Sequence, residues 1–247
     1  MRRHFETLDS TNETAKQWAR DASTLAPHGA VVTADEQTAG RGRRGRNWVS
    51  PKGTGVYLSI IWRPEIQTAQ IGQLTIVVAL AAARALEKIS GLELQTKWPN
   101  DVLLNGKKIG GVLCEAELEN GKVKFVIAGI GLNLNFETSE LPVRPVFPAT
   151  SLRIESGREF EIEAAREVLI RNLEREYTRY ADGDWNAQRG EFIARCCILG
   201  EKVCVSNELH EYSGVAVGID KTGMLVVQTE SGLQTVAAGD VSISDNQ

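Results

Sequence analysis

Two Asn-Gly dipeptides, Asn105-Gly106 and Asn120-Gly121, constrain the fold of this chain more than any other feature. The first lies between VLL and KKIGGVL, the second between LCEAELE and KVKFVIAG. A two-residue type I′ turn needs positive φ at both positions, and Asn followed by Gly tolerates this best. Both dipeptides therefore predict hairpins between strands of alternating or apolar character.

Other segments read as helix or loop. Ser10-Thr11-Asn12-Glu13 predicts a helix start in which the Ser10 side chain caps and Glu13 completes a capping box. Ala15, Trp18, Ala19 and Ala22 then follow a helical i, i+3, i+4, i+7 spacing. Residues 30–36 and 56–62 (VYLSIIW) read as strands, and residues 38–55 as a loop rich in glycine and arginine. A helix over 71–90 carries Leu74, Val77, Val78, Ala81, Ala85 and Ile89 on one stripe. Residues 162–181 and 184–194 are helical in pattern. Beyond Arg195, short β-rich pieces (EKVCVS, YSGVAVGI, MLVVQTE, LQTVAAG) alternate with turn residues. The expected organisation is an α+β domain over 1–195 with a small barrel of about five strands over 196–247.

Charge and cysteine content narrow the function classes. The 247 residues carry a formal net charge of −4, which argues against a general nucleic-acid binder. No signal peptide is apparent, and the most apolar stretch, Leu74 to Leu86, is short for a bilayer and interrupted by Arg84. The cytoplasm is the expected compartment. Cys114, Cys196, Cys197 and Cys204 form no CxxC pair, and His4, His28 and His210 are scattered, so neither a disulfide frame nor a zinc site is expected.

Four segments can carry chemistry. In Gly40-Arg41-Gly42-Arg43-Arg44-Gly45-Arg46-Asn47-Trp48, glycines allow close backbone approach and arginines offer planar donors for phosphate or carboxylate. Such a loop is expected to order over a bound anion; the alternative, a solvated or nucleic-acid-binding basic segment, has the acidic remainder of the chain against it. Lys97-Trp98-Pro99-Asn100-Asp101 reads as a strand-end turn presenting an amide and a carboxylate. Lys107-Lys108-Ile109-Gly110-Gly111 places lysines beside glycines, where a ligand can reach the backbone. Gly129-Ile130-Gly131-Leu132-Asn133 is neither a P-loop nor a dinucleotide fingerprint, and serves strand packing as readily as ligand contact.

The order and spacing of these segments, from Ser10-Thr11-Asn12 through Gln37-Thr38-Ala39-Gly40, the arginine loop, Trp48-Val49-Ser50-Pro51, KWPND, KIGG and GIGLN, resemble the biotin–protein ligases. The C-terminal Gly218-Ile219-Asp220, Gly223 and Gly239-Asp240-Val241 resemble that family's small barrel. The resemblance implies a catalytic domain like that of class II aminoacyl-tRNA synthetases, a mixed sheet flanked by helices, followed by an Src-homology-3-like barrel. It implies ATP, biotin and Mg2+ as ligands, the metal arriving on the phosphates rather than in a protein cage. Biotin and ATP would form biotinyl-5′-adenylate, and a lysine of a biotin carboxyl carrier protein would then accept the biotin.

By the same resemblance Ser10, Thr11, Asn12, Gln37, Gly40, Arg41, Gly42, Arg43, Lys108 and Gly111 should bind biotin. Arg41, Arg43, Arg46, Trp48, Asn100, Lys108 and Asn133 should bind ATP or the adenylate, with Arg43, Lys108 and Asp101 catalytic. Two anions must meet in the first step, so fixed cations at the point of charge development suit the chemistry. The family signature begins at residue 10, so the monofunctional type, without a DNA-binding domain, is expected, with a homodimer as a possible assembly. The alternatives are a lipoate–protein ligase or octanoyltransferase relative, and a non-catalytic basic-loop nucleic-acid-binding protein.

Overall fold

The computed structural model describes residues 1–142, 148–206, 211–237 and 239–243. In chain order it begins with β1 (Arg2–Leu8), α1 (Thr11–Arg20), β2 (Ala30–Gln37), β3 (Gly55–Trp62) and α2 (Ile71–Ser90). There follow β4 (Gln95–Lys97), β5 (Asp101–Leu104), β6 (Lys107–Glu119) and β7 (Lys122–Asn133), then α3 (Leu152–Ser156), α4 (Ile162–Ala181) and α5 (Trp185–Arg195). The last five strands are β8 (Lys202–Ser206), β9 (Glu211–Ile219), β10 (Leu225–Thr229), β11 (Gly232–Val236) and β12 (Asp240–Ile243).

Both Asn-Gly hairpins form. Asn105 and Asn120 have φ of 52°, followed by Gly106 at 72° and Gly121 at 77°. The resulting β5-β6-β7 run occupies one half of a seven-stranded sheet of order β1-β2-β3-β7-β6-β5-β4. Among the named strands β1 and β2 pair in parallel and their neighbours in this sheet antiparallel, the crossover between β1 and β2 being α1.

Alternation along β3 and β7 assigns the two faces of this sheet. Leu58, Ile60 and Trp62, with Val126, Ala128, Ile130 and Leu132, join the large core beneath α2 and α4. Ile61, Phe125 and Ile127 face the other way, under Ala15, Trp18 and Ala19 of α1. Strand period two therefore puts Ser59, Gly129 and Gly131 on the α1 face as well. Helix α2 is almost wholly enclosed, which suits its Ala- and Leu-rich sequence, and it stops at Gly91 in the left-handed region, φ 76°. By length and composition it would pass for a membrane-crossing helix, but most of it is buried within the fold. At its outer side the fully buried Glu176 of α4 accepts from Arg84 at 2.8 Å and Arg179 at 2.9 Å, tying α2 to α4. Arg84 and Arg179 also reach Glu191 of α5, so one satisfied carboxylate cluster pins three helices.

The C-terminal strands form a five-stranded antiparallel sheet of order β11-β10-β9-β8-β12. Its turn over 219–223 is moored to the first domain by four side chains, among them Trp185, whose indole donates to the Lys221 carbonyl at 2.7 Å. Gln73 donates to the Lys221 carbonyl at 2.9 Å, Trp98 to that of Gly223 at 2.9 Å, and Arg189 to that of Ile219 at 2.8 Å.

Three features depart from expectation. Ser10 is the residue before α1, but its side chain makes no capping bond; it is buried instead. Strand β1 was not expected, because an edge strand reading RRHFETL is half exposed and lacks a clean apolar alternation. Helix α3 is a five-residue turn started by Ser151, whose hydroxyl accepts from the Ile154 N–H at 3.1 Å.

Candidate active site

A cavity of 630 Å³ opens on the α1 face of the large sheet, between the start of α1, the arginine loop, the KWPND turn and β12. Its two ends differ in chemistry. At the α1 end, Thr11 donates its backbone N–H to Gln37 Oε1 at 2.8 Å and its hydroxyl to the same oxygen at 3.1 Å. Ser59 Oγ lies 2.8 Å from Thr11 Oγ1 and 2.6 Å from Asn12 Oδ1. Asn12 Nδ2 in turn donates to Glu115 Oε2 at 2.8 Å, and Gln37 Nε2 to Ser50 Oγ at 2.9 Å. Ser10, Thr11, Asn12 and Ser59 are all buried. These neutral groups sit on strands and at a helix N-terminus, so their directions are set by the scaffold.

Two glycines of GIGLN make room for this network. A Cβ on Gly129 would stand 2.0 Å from Asn12 Oδ1, and one on Gly131 would stand 2.3 Å from Trp48 Nε1. Gly111, paired with Gly131 across β6 and β7, lies 3.3 Å from the same indole by that measure. Any side chain at Gly129 or Gly131 would fill the space Asn12 and Trp48 occupy.

The arginine loop is a small closed hairpin. Arg41 bridges Asn47, the Gly42 N–H donates to the Arg46 carbonyl at 2.6 Å, and Trp48 N–H to that of Gly40 at 2.9 Å. At the tip Arg44 and Gly45 both take left-handed backbone, φ 55° and 70°, which turns successive side chains apart. Arg43 points inward, its Nη1 3.3 Å from Asn100 Oδ1, and burial lowers its pKa from the ordinary guanidinium value. Arg44 and Arg46 turn to Asp240 of β12, Arg44 at 3.2 Å, with Arg46 and Asp240 both lining the cavity. Arg41 is held by Glu13 at 3.1 Å and Glu115 at 3.4 Å.

The far end of the cavity is ionic. Lys108 Nζ pairs with Asp101 and lies 5.6 Å from the centre of the Trp48 ring. The neighbouring Lys107 faces away, on Glu155 at 3.0 Å. Asn100 Nδ2 donates to the Val112 carbonyl at 2.8 Å, which aims its oxygen at Arg43. Lys97 is the cross-strand partner of Asp101, and burial lowers its pKa.

The chain matches the family described as biotin/lipoate A/B protein ligase over residues 4–133 and the biotin protein ligase C-terminal domain over 198–244. It belongs to the biotin/lipoate A/B protein ligase family.

Within that family it is 35% identical over 236 residues to the biotin–[acetyl-CoA-carboxylase] ligase of Paracoccus denitrificans, covering 94% of this chain and 96% of the relative. It is 33% identical over 240 residues to the bifunctional ligase/repressor BirA of Bacillus subtilis, covering 97% of this chain and 73% of that protein. The structure superposes on the biotin protein ligase of Aquifex aeolicus in complex with biotin and ATP with a TM-score of 0.82 at 29% identity, covering 98% of both chains.

Of the residues singled out by the family signature, Ser10, Thr11, Asn12, Gln37, Arg41, Gly42, Arg43, Arg46, Trp48, Asn100, Asp101, Lys108 and Gly111 line this one cavity. Two do not. Gly40 lies behind it, where a Cβ would meet the Trp48 carbonyl at 2.3 Å, so its role is to let the loop's base close. Asn133 donates to the Thr150 carbonyl at 3.0 Å and borders a separate 20 Å³ cavity that shares Trp48 and Lys108 with the main one. Ser59, Lys97, Gly129, Gly131 and Asp240 line or support the site and were not singled out as site residues. Ser59 had a detectable signal: a serine hydroxyl inside a fully buried, apolar strand must find a partner.

Among the described residues the four cysteines are free, and no cluster of three His, Cys, Asp or Glu could hold a metal ion. His210 lies outside the described residues.

Proposed function

We propose that this chain is an ATP-dependent biotin–protein ligase that couples biotin to a lysine of a biotin carboxyl carrier protein. The observation that carries the reading is a single cavity joining a neutral hydrogen-bonding end to a cationic end, in a chain of this family. Biotin has the same polarity: a neutral ureido head with donors and an acceptor, and a carboxylate tail. Thr11, Asn12, Gln37 and Ser59 suit the head; Arg43 and Lys108 suit the tail and the α-phosphate that it attacks. The relatives and the superposed structure, named for biotin, ATP and acetyl-CoA carboxylase, support the same assignment.

In the first step the biotin carboxylate attacks the α-phosphate of ATP, forming biotinyl-5′-adenylate and releasing pyrophosphate. Arg43 and Lys108 offset the repulsion between two anions and stabilise the charge that grows on the α-phosphate oxygens. In the second step the carrier lysine attacks the anhydride carbonyl, its amine losing a proton and AMP departing. The ion pair of Asp101 with Lys108 at the cavity supports giving Asp101 the role of orienting that amine or taking its proton. Trp48 lines both cavities, where its indole suits stacking against the adenylate's base, and Asn133 borders the smaller one, whose 20 Å³ holds no more than about a water.

Magnesium fits this site as an ion carried by the phosphates. The carboxylates at the cavity are engaged by cations, Asp101 by Lys108 and Asp240 by Arg44 and Arg46, and they form no cage. Such an ion would screen phosphate charge, keeping most of its water. The reading also includes a division at residues 195/196, a cytoplasmic location and a homodimer. For the last, β6 beyond Gly111 pairs with β7 on one side and with no strand on the other among the described residues, an edge open to strand addition.

ATP–pyrophosphate exchange by the purified protein, with biotin, lipoate or octanoate, tests the assignment. Exchange with biotin alone is expected. Exchange with lipoate would move the chain to the sister branch, and no exchange with any acid in folded protein would overturn adenylation.

A further inference from the structure

Three oxygen–oxygen approaches link Asn12 to Gln37 at the neutral end of the cavity. Asn12 Oδ1 lies 2.6 Å from Ser59 Oγ, Ser59 Oγ 2.8 Å from Thr11 Oγ1, and Thr11 Oγ1 3.1 Å from Gln37 Oε1. The outer two atoms are amide oxygens, which only accept, and each hydroxyl between them has one hydrogen. Two hydrogens therefore serve three approaches. The longest is given up at least cost, since O–H···O bonds favour ~2.7–2.8 Å. The Thr11 hydrogen reaches either Gln37 or Ser59, not both. A ligand N–H on Gln37 Oε1 releases it to Ser59, and each acceptor of the chain then has its own donor, Gln37 keeping the Thr11 backbone N–H at 2.8 Å as well.

This polarity holds only while both amides keep their direction. Gln37 is turned by Ser50: its Nε2 donates to Ser50 Oγ at 2.9 Å, and that hydroxyl donates to the Trp48 carbonyl at 3.1 Å. Asn12 is turned by Glu115. Its Nδ2 donates to Glu115 Oε2 at 2.8 Å and, at a longer 3.3 Å, to the Leu113 carbonyl. A carboxylate has no hydrogen to give, so it faces only the NH2 edge of the amide, and a charged acceptor holds that edge about twice as strongly as a neutral one. Glu115 lies on β6 opposite Ile127 of β7 and is not among the residues lining the cavity, so it acts through Asn12. Arg41 reaches the same carboxylate oxygen at 3.4 Å, but the bond to Asn12 joins β6 to α1 and does not need the arginine loop.

We infer that Glu115 is a positioning residue that determines specificity for the head of the substrate: by fixing the Asn12 amide it sets the direction of the whole chain and leaves Gln37 Oε1 as an acceptor. The site then selects an acid whose head carries an N–H, as a cyclic urea does, over lipoyl or octanoyl groups, which have no donor there. In Glu115→Gln the new amide can equally face Asn12 Oδ1, which lets Asn12 turn its NH2 to Ser59. Ser59 would then donate to Thr11 and Thr11 to Gln37, filling the acceptor from within. The link to biotin rests on the proposed ligase activity; the pairing of Glu115 with Asn12 does not.

Calorimetry with biotin, without ATP, on wild type, Glu115→Gln and the swap Glu115→Gln/Asn12→Asp tests the direction. Glu115→Gln should weaken biotin about tenfold or more, as loss of an acceptor opposite a buried donor does, while KM for ATP and kcat at saturating biotin stay within about threefold. The swap returns an acceptor-only group to face Ser59, now on residue 12, and should bring affinity to within about threefold of wild type. Unchanged affinity in Glu115→Gln would overturn the inference, because glutamine fills the same space and a purely structural contact survives it. A swap that binds no better than Glu115→Gln would overturn it too. Thermal unfolding of the free protein reads the pairing alone. Asn12→Asp sets two carboxylates together and should lower Tm by at least about 5 °C, and adding Glu115→Gln should restore most of that loss. No restoration would overturn the pairing. If Asn12→Asp does not fold, a folded swap supports the pairing and an unfolded one overturns it. Absent biotin binding in folded wild type, with the Tm cycle as expected, sinks only the ligase reading.

Discussion

The two ends of the cavity are built by different physical means. At the α1 end most groups are neutral and fix one another, Thr11 by Gln37 and Ser59 and Gln37 by Ser50, with Glu115 behind Asn12 and the Arg41 ion pairs to Glu13 and Glu115 at the edge. Such a network can be buried at little cost because each donor has an acceptor. At the other end the working groups are charges, and each is set against a partner on a different element: Lys108 with Asp101, Arg43 with Asn100, Arg44 and Arg46 with Asp240. Cations gathered in one place repel one another, so the protein supplies opposite charge beside them. The proposed function gives recognition to the neutral end and chemistry to the ionic end.

If that division holds, Arg43→Ala or Lys108→Ala should each lower pyrophosphate exchange by about 10²–10³-fold, as removal of a donor at a site of developing charge does. Biotin affinity in calorimetry, without ATP, should change by less than about tenfold. A collapse of biotin binding equal to the loss of exchange would show that the ends do not act separately.

The opposite test is a methyl group at the neutral end. Gly129→Ala places a carbon 2.0 Å from Asn12 Oδ1, so Asn12 must leave its bonds to Ser59 and Glu115 or the strands must part. Overpacking of this kind costs about 1–3 kcal/mol. It should appear as a lowered Tm or as about tenfold weaker biotin binding, with KM for ATP little changed. Gly131→Ala should instead disturb Trp48 and raise KM for ATP. Identical profiles for the two variants would remove the distinction.

Much of this arrangement is legible from the chain, and the reasons are local. The Asn-Gly hairpins, the α2 stripe and the helix over 162–181 announce themselves because turn chemistry and periodicity act within a few residues. The KWPND and arginine segments could be marked as chemical because glycine, proline and charge cluster there. The purpose of Gly129 and Gly131 could not be read so directly. It depends on Asn12 and Trp48, brought from other elements by the register of β3, β6 and β7. Asp240 was hidden for the same reason: an acid in a half-exposed terminal strand gains meaning only when the C-terminal sheet lies against the loop. Asn133 shows the converse, since a residue taken from a motif can border a neighbouring cavity rather than the main one.

A milder change at the neutral end, Asn12→Ala, removes one node of the network. It takes from buried Ser59 Oγ one of its two oxygen partners, leaving Thr11 Oγ1, and removes the amide donor to Glu115. Loss of a hydrogen bond of this kind costs about 0.5–1.5 kcal/mol. Biotin binding should weaken by about tenfold or more by calorimetry, while exchange at saturating biotin stays within about threefold of wild type. An equal fall in the saturated rate would give Asn12 a part in the chemistry and blur the contrast between the ends.

The smallest expected effect separates direction from charge within the loop. Arg44 carries the same charge as Arg43 but faces Asp240 in a partly exposed pair, a contact of the kind worth about 0.2–1 kcal/mol. Arg44→Ala should therefore cost only a few-fold in exchange, far less than Arg43→Ala. Alanine keeps the left-handed backbone strain at this position, about 1–2 kcal/mol, whereas glycine relieves it. Arg44→Gly should accordingly be milder than Arg44→Ala in KM for ATP, even though it removes the same side chain. Equal losses from Arg43→Ala, Arg44→Ala and Lys108→Ala would mean that the loop acts as undifferentiated positive charge, and that the directions seen at its tip carry no part of the function.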